Sequence, residues 1–279
     1  MIMDFFRAVL FGIVEGITEW LPVSSTGHMI LLDEFVKLNG SPVFISVFLV
    51  FIQLGAIFAV VVLYWKKLFP FQFHNKQEPV IEKDKMLLWG KILLACIPAA
   101  AVGILFDSTL ERLFYHAVPV ALALIVFGIA FIFIERWNKG RKPKMTSVDQ
   151  LTVPTVLVIG VFQLLAAVFP GTSRSGATIV GALLLGVSRS AASEFTFYLA
   201  VPVMLGASLL RVLQYGLSFS AAELMLLGTG MLTAFLVSVA VIRFLMNYIR
   251  THDFRIFGWY RILLGSIVIL LHAAGFIQI

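Results

Sequence analysis

The sequence predicts an all-α polytopic membrane protein. A single integral domain over 1–279 holds six transmembrane helices plus two re-entrant helix pairs, arranged as an inverted-topology repeat of roughly 1–140 and 150–279. Three observations carry this. Hydrophobic residues make up 60% of the chain and charged ones 13%, with 26 phenylalanines, far beyond the apolar share of soluble domains. Six apolar runs are long enough to cross a hydrocarbon core of about 30 Å, which takes roughly 20 helical residues. A Pro-broken apolar motif also occurs in each half of the chain, and paired interrupted helices point to a polar site near the bilayer midplane.

The long runs lie near 44–65, 87–105, 117–134, 194–213, 223–242 and 257–276. The remaining apolar pieces, about 2–21, 28–38, 151–169 and 177–188, bracket Pro22 and Pro170. Short apolar helices in pairs suit re-entrant hairpins, because non-helical backbone at depth needs protein or a wet cavity around it. Charge supports this count. Loops 66–86, 135–150 and 243–256 carry Lys66, Lys67, Lys76, Lys83, Lys85, Arg136, Lys139, Arg141, Lys142, Lys144, Arg243, Arg250 and Arg255, whereas loops 106–116 and 214–222 carry only Arg112. The first set is expected in the cytoplasm, which places both termini outside. Three crossings per half then force the second half to enter from the opposite face. Small-residue echoes such as Leu54-Gly55-Ala56 and Leu205-Gly206-Ala207 fit the same repeat.

Net charge is +6 and mean hydropathy +1.00. The basic residues serve topology and contact with anionic headgroups of the phospholipid bilayer, and no nucleic-acid partner is expected. Trp65, Trp89, Trp137, Trp259 and Tyr260 fall near span ends as an interfacial belt. Asp4, Arg7, Glu15 and Glu19 interrupt what a cleavable leader would need as its apolar core. Cys96 is the single cysteine and allows no intramolecular disulfide. Association into a homo-oligomer is left open.

The two motifs differ in chemistry. Gly12 to His28 aligns with Gly160 to Gly176 when Arg174 is treated as a single insertion. In the first copy Glu15 and Glu19 are spaced i,i+4, so on a helix both carboxylates share one face. Two such acids in a low dielectric share a proton or a cation, and a hard divalent ion, Mg²⁺ or Ca²⁺, takes oxygen ligands of this kind. Pro22 ends the helix, and Ser24, Ser25 and Thr26 form a turn that can cap a helix beginning near His28 and hold a phosphate. His28 is suited to attack phosphorus or to move protons. The second copy, Pro170 to Thr178, adds Arg174 between Ser173 and Ser175, a guanidinium placed to clamp phosphate.

Glu15-x-x-x-Glu19, the Pro22-to-His28 string and Pro170-Gly-x-Ser-Arg-Ser-Gly-Ala-Thr178 resemble the signature regions of the bacterial undecaprenyl pyrophosphate phosphatase family, also called the bacitracin resistance family. The resemblance implies hydrolysis of undecaprenyl pyrophosphate to undecaprenyl phosphate and inorganic phosphate, which recycles the cell-wall lipid carrier. It also implies a metal-dependent site facing the outer side of the bacterial plasma (inner) membrane. In the expected mechanism Glu15 and Glu19 hold the cation, with Glu19 also part of the catalytic group. Arg174, Ser173, Ser24, Thr26 and Thr178 bind the phosphates of the polyprenyl diphosphate, and His28, ranked ahead of Ser25, attacks or activates water. Gln53 is a further candidate contact, and the Phe-rich stretch 44–58 a candidate tail path. The rival class is an inverted-repeat transporter or flippase of a lipid carrier, because this architecture serves transport as well.

Overall fold

Short polar residues at the ends of apolar runs decide where the helices begin. Ser41 accepts the Phe44 amide (3.1 Å) ahead of Pro42. Thr152 accepts the Thr155 amide (3.4 Å) ahead of Val153-Pro154. Ser220 and Glu223 exchange backbone and side-chain bonds in a capping box. In the computed structural model, residues 2–72, 79–215 and 219–277 are described, and these form eleven α-helices. They are α1 (Ile2–Thr18), α2 (Ser25–Phe35), α3 (Pro42–Leu63), α4 (Trp65–Leu68), α5 (Lys83–Phe114), α6 (Ala117–Trp137), α7 (Val153–Val168), α8 (Arg174–Leu184), α9 (Arg189–Tyr215), α10 (Ala221–Tyr248) and α11 (Arg255–Ala273). Lys76, one of the basic loop residues, lies outside the described segments.

Among the described residues, six helices are long and apolar enough to cross a membrane: α3, α5, α6, α9, α10 and α11. They coincide with the six apolar runs of the sequence. Four shorter helices fill the remaining apolar pieces, with α1 and α2 on either side of Pro22 and α7 and α8 on either side of Pro170. Much of the outer surface is apolar, as Ile104, Leu105, Leu213 and Leu270 illustrate, which suits hydrocarbon rather than water as solvent.

The helices pack through small residues, as expected where lipid removes the hydrophobic drive for association. α1 lies on α10, and α10 on α3. α7 lies on α5, and α5 on α9. α6 and α11 pair with each other, and α3 meets α9. A Cβ on Gly12 would come within 2.6 Å of the Gly230 carbonyl oxygen, and one on Gly160 within 2.6 Å of the Ala95 carbonyl oxygen. The two motif-bearing helices thus approach their partners equally closely. Gly128 and Gly258 do the same for α6 and α11, where a Cβ on either would meet the other's carbonyl oxygen at 2.7 Å. The echo around Gly55 and Gly206 does not extend to packing: Gly55 presses on the Met231 backbone, whereas Gly206 faces open space.

Ion pairs gather at the basic-loop end. Arg189 holds Glu135 through two bonds (2.8 and 2.6 Å), and Lys67 meets Glu194 at 2.6 Å. Trp65, Trp137 and Trp259 are exposed near helix ends, as a belt requires. Trp20, by contrast, is buried and packs edge-on against Phe197 (5.4 Å). Phe44 and Phe48 also point inward, into a cluster with Phe11. The beginning of the 44–58 stretch is therefore core rather than the wall of a tail path.

Candidate active site

Pro22 and Pro170 each follow the end of an apolar helix, and the chain turns back within a few residues. Ser24 and Ser173 take the same unusual backbone conformation, φ +75° and +69°, the left-handed region that costs a non-glycine residue. Both are N-caps: Ser24 Oγ accepts the Gly27 amide (3.3 Å) and Ser173 Oγ the Gly176 amide (3.1 Å). This shared geometry revises the register between the copies. Ser24 matches Ser173, Ser25 matches Arg174, and Gly27 matches Gly176. The extra residue falls between Pro170 and Ser173, where Gly171 turns at φ +92°. Arg174 is thus not an insertion but the first residue of α8, as Ser25 is of α2. α2 also starts three residues before His28, not at it.

Glu19 joins the two turns. Its amide donates to the Glu15 carbonyl (3.0 Å), so the helical register reaches Glu19 and the two acids share a face. The Glu19 carboxylate accepts the Ser25 hydroxyl at Oε2 (2.8 Å) and Arg174 Nη2 at Oε1 (2.9 Å). Arg174 Nη1 donates to the Thr196 carbonyl (2.8 Å) on α9. A guanidinium has five N–H groups, so among the described residues three remain for an anion.

Glu15 is only 1% exposed, and its Oε1 has no hydrogen-bond partner among the described residues. A buried carboxylate oxygen without a donor is costly. No group of three or more His, Cys, Asp or Glu forms a metal cluster among the described residues. Glu15 and Glu19 together fit an ion such as Mg²⁺, which keeps waters and substrate phosphate in its shell.

Other expected residues play supporting parts. Thr178 is 0% exposed, and its hydroxyl lies 2.8 Å from that of Thr196 and 2.9 Å from the Arg174 carbonyl. It braces the Arg174 segment rather than facing open space. Ser24 is buried and spent on its cap. Ser173 caps α8 and lies 3.1 Å from the Ser175 hydroxyl. Thr26 and Gln53 are half-buried, with no hydrogen bond to the motif side chains among the described residues. His28 is turned away from the acids. Its Nδ1 lies 2.7 Å from the Ser24 carbonyl, which only an N–H can satisfy, so the neutral ring accepts at Nε2 from the Tyr260 hydroxyl (2.6 Å). The two rings stack at 5.6 Å.

Two residues of α11 escape sequence reading. Tyr260 is expected only in the interfacial belt, and Arg261 lies unmarked within the apolar run 257–276. Arg261 is 0% exposed. Its Nη2 donates to the Gly171 and Thr172 carbonyls (2.9 and 2.7 Å), and Nη1 to the Pro22 carbonyl (3.3 Å). Nε reaches the Leu124 carbonyl at 3.4 Å. One guanidinium therefore ties both turns together, and among the described residues it forms no ion pair. Gly176 leaves the room for it, since a Cβ there would sit 2.9 Å from Nη1. The available signal was an arginine at membrane depth, which defaults to a functional reading.

The arrangement is a carboxylate between a hydroxyl and a guanidinium, next to a second acid and two helix N-termini. Such a set can bind a phosphoryl group and deprotonate the serine that attacks it. The family model described as "Bacitracin resistance protein BacA" matches residues 8–267. An undecaprenyl-diphosphatase of Desulfitobacterium hafniense is 58% identical over 98% of this chain and 98% of its own. One from Enterococcus faecalis is 55% identical over 98% and 100%, and one from Streptococcus suis 48% over 96% and 97%.

Proposed function

The chain belongs to the bacitracin resistance protein BacA family, and we propose on that premise that it hydrolyses undecaprenyl diphosphate to undecaprenyl phosphate and inorganic phosphate. The carrier of cell-wall precursors is thereby returned to use, and bacitracin resistance follows from the same activity. The observation that carries the chemistry is Glu19, held between Ser25 of one turn and Arg174 of the other at 2.8 and 2.9 Å.

In this mechanism Arg174 and the amides at the starts of α2 and α8 bind the terminal phosphoryl group. Glu19 takes the Ser25 proton, and Oγ forms a bond to the terminal phosphorus as the bond from phosphorus to the bridging oxygen breaks. Undecaprenyl phosphate leaves, with its tail still in lipid. Glu19 gives that proton up to the departing phosphate, then takes one from the water that attacks the phosphoserine and returns it to Oγ as the Oγ–P bond breaks, releasing inorganic phosphate and restoring Ser25. Glu15 and Glu19 are the residues that would hold a divalent cation, which when bound would neutralise diphosphate charge. Ser25 is placed ahead of His28, in reverse of the expected order, because it alone of the two is bonded to a base. His28 with Tyr260 then shapes the edge of the site.

We also propose that α1–α2 and α7–α8 are re-entrant pairs related by an inverted repeat. Matching caps at Ser24 and Ser173 support this, as does the packing of α1 on α10 and α7 on α5. Length supports it too. α2 and α8 have 11 residues each, about 16 Å per helix at 1.5 Å per residue. Entering from opposite faces, they would bring the two turns together near the middle of a core about 30 Å thick. The basic loops lie in the cytoplasm, and both termini and the mouth of the site face outward, where a spent carrier is left. A carrier or flippase reading has no comparable support, since a serine bonded to its base serves chemistry rather than passage.

The test is phosphate release from undecaprenyl diphosphate by the purified protein in detergent, with and without EDTA, beside Ser25→Ala. Release that needs the metal and is lost in the folded variant supports the reading. A folded wild type that binds the lipid without releasing phosphate would overturn it.

A further inference from the structure

Topology alone would spread lysines and arginines evenly over the basic-loop face. Two clefts on that face show otherwise. One, of about 780 Å³, is lined by Lys66, Lys67, Lys85 and Lys91 but also by Glu82, Asp84, Asp149 and Glu194, so its charges cancel. Several are directly matched, as in Lys67 to Glu194 and Lys85 to Glu82, both at 2.6 Å. The other, of about 590 Å³, lies between the loop after α6, the end of α8, the start of α9 and the end of α10. It has Arg141, Lys142, Lys144, Arg189 and Arg250 against the single acid Glu135.

That acid is already spent. Glu135 is buried, held by Arg189 through two bonds and by the Phe254 amide at 3.1 Å. Arg141, Lys142, Lys144 and Arg250 have no acidic partner among the described residues, and all four are exposed. Arg141 is steadied over the Trp137 ring at 4.3 Å. The helix carbonyls nearby do not use these cations either. Asn138 Nδ2 donates to the Leu183 carbonyl, and the Val187 and Gly186 amides cap Ala182 and Leu183. The amides of Arg189 and Ser190, in the first turn of α9, have no acceptor among the described residues. Leu184, Val187 and Ile249 complete an apolar side to the cleft.

We propose that this cleft binds the phosphate headgroup of an anionic phospholipid. The four free cations and the α9 amides receive the phosphate, and the apolar side receives the upper part of the acyl chains. A basic pocket between helices at the membrane surface suits that chemistry. The cleft sits at the far end of α8, whose first residue is Arg174, so an occupied cleft steadies the helix that carries the phosphate clamp. Headgroup binding in this cleft is independent of the hydrolytic mechanism and is read as binding, not turnover.

Native mass spectrometry of the full chain in detergent, titrated with phosphatidylglycerol or phosphatidylcholine, measures it. Two triple variants of equal charge change are compared: Lys142→Gln/Lys144→Gln/Arg250→Gln in the cleft, and Lys66→Gln/Lys85→Gln/Lys91→Gln in the balanced one. The expected result is a loss of about tenfold or more in phosphatidylglycerol affinity for the first and about twofold or less for the second, with phosphatidylcholine indifferent to both. An equal loss in both variants, or none in the first, would overturn the proposal. Inorganic phosphate displacing the lipid at the same concentration, with the same dependence on the variants, would overturn the lipid assignment in favour of a free phosphate. Melting temperature checks folding, and Arg250→Gln alone, expected to cost about threefold, serves if the triple variant does not fold.

Discussion

The two turns have one backbone and two chemistries. Ser24 and Ser173 share a left-handed φ and the same cap bond to a glycine three residues on. A Cβ on Gly12 or on Gly160 would meet a neighbouring carbonyl oxygen at the same 2.6 Å. Yet the first position of α2 is Ser25 and that of α8 is Arg174, and where α1 carries Glu15, α7 carries Gln163. Both Glu15 and Gln163 are buried with an Oε1 that has no hydrogen-bond partner among the described residues, but only one of them is an acid. The repeated backbone supplies a pair of helix N-termini, while divergence at equivalent positions supplies a nucleophile with its base on one side and a cation on the other. Neither turn alone holds the full set.

Substitutions at matching positions of the two turns separate their roles. Ser25→Ala should lower kcat on the order of 10⁴-fold while the protein stays folded, measured by phosphate release. Activity within about tenfold of wild type would take the first turn out of the chemistry. Arg174→Ala removes the opposite partner and is expected to cost about 10² to 10³ in kcat/KM, the range for a lost transition-state donor. Arg174→Lys should recover only part, because an ammonium lacks the fork that reaches both Glu19 and the Thr196 carbonyl.

Arg261→Met tests what holds the turns in register. It leaves the Pro22, Gly171 and Thr172 carbonyls without their buried donor, which should lower stability by about 3 kcal/mol. Arg261→Lys should restore stability better than kcat if alignment of Ser25 with Arg174 is the function of the guanidinium. Equal recovery of both would reduce Arg261 to a structural tie. Smaller still, Ser24→Ala and Ser173→Ala each lose one cap bond, about 1 kcal/mol apiece. Near-equal shifts in melting temperature would sharpen the equivalence of the turns, and a large effect at one alone would weaken it. His28→Ala should cost about tenfold or less, since the ring contacts Tyr260 and the Ser24 carbonyl rather than the carboxylates.

Much of this was legible in the chain itself. The six long apolar runs became six helices of crossing length, because length and hydropathy are properties of a segment alone. Glu19, Ser25 and Arg174 were also readable, as polar residues beside prolines in apolar surroundings, and the structure brings them into contact across 155 residues of sequence. Register was harder. The alignment treated Arg174 as an insertion because letters were matched, whereas the cap bonds at Ser24 and Ser173 depend on backbone conformation that letters do not encode. Thr178 looked like a phosphate ligand because its hydroxyl belongs to the motif, and burial under Arg174 was invisible from spacing. Arg261 and Tyr260 were hidden for a different reason. Each lies far along the chain from the turns it touches, and one polar residue barely alters the hydropathy of a 19-residue helix.

The ranking of His28 against Ser25 turns on which atom receives the phosphoryl group. The most direct measurement is to mix the protein with undecaprenyl diphosphate carrying a labelled terminal phosphate, quench within one turnover in acid and in base, and map the labelled peptide. An acid-stable label on Ser25 is the expected result. A label that survives base but not acid, and that maps to His28, would mean that Glu19 and Arg174 are not assembled around a serine nucleophile.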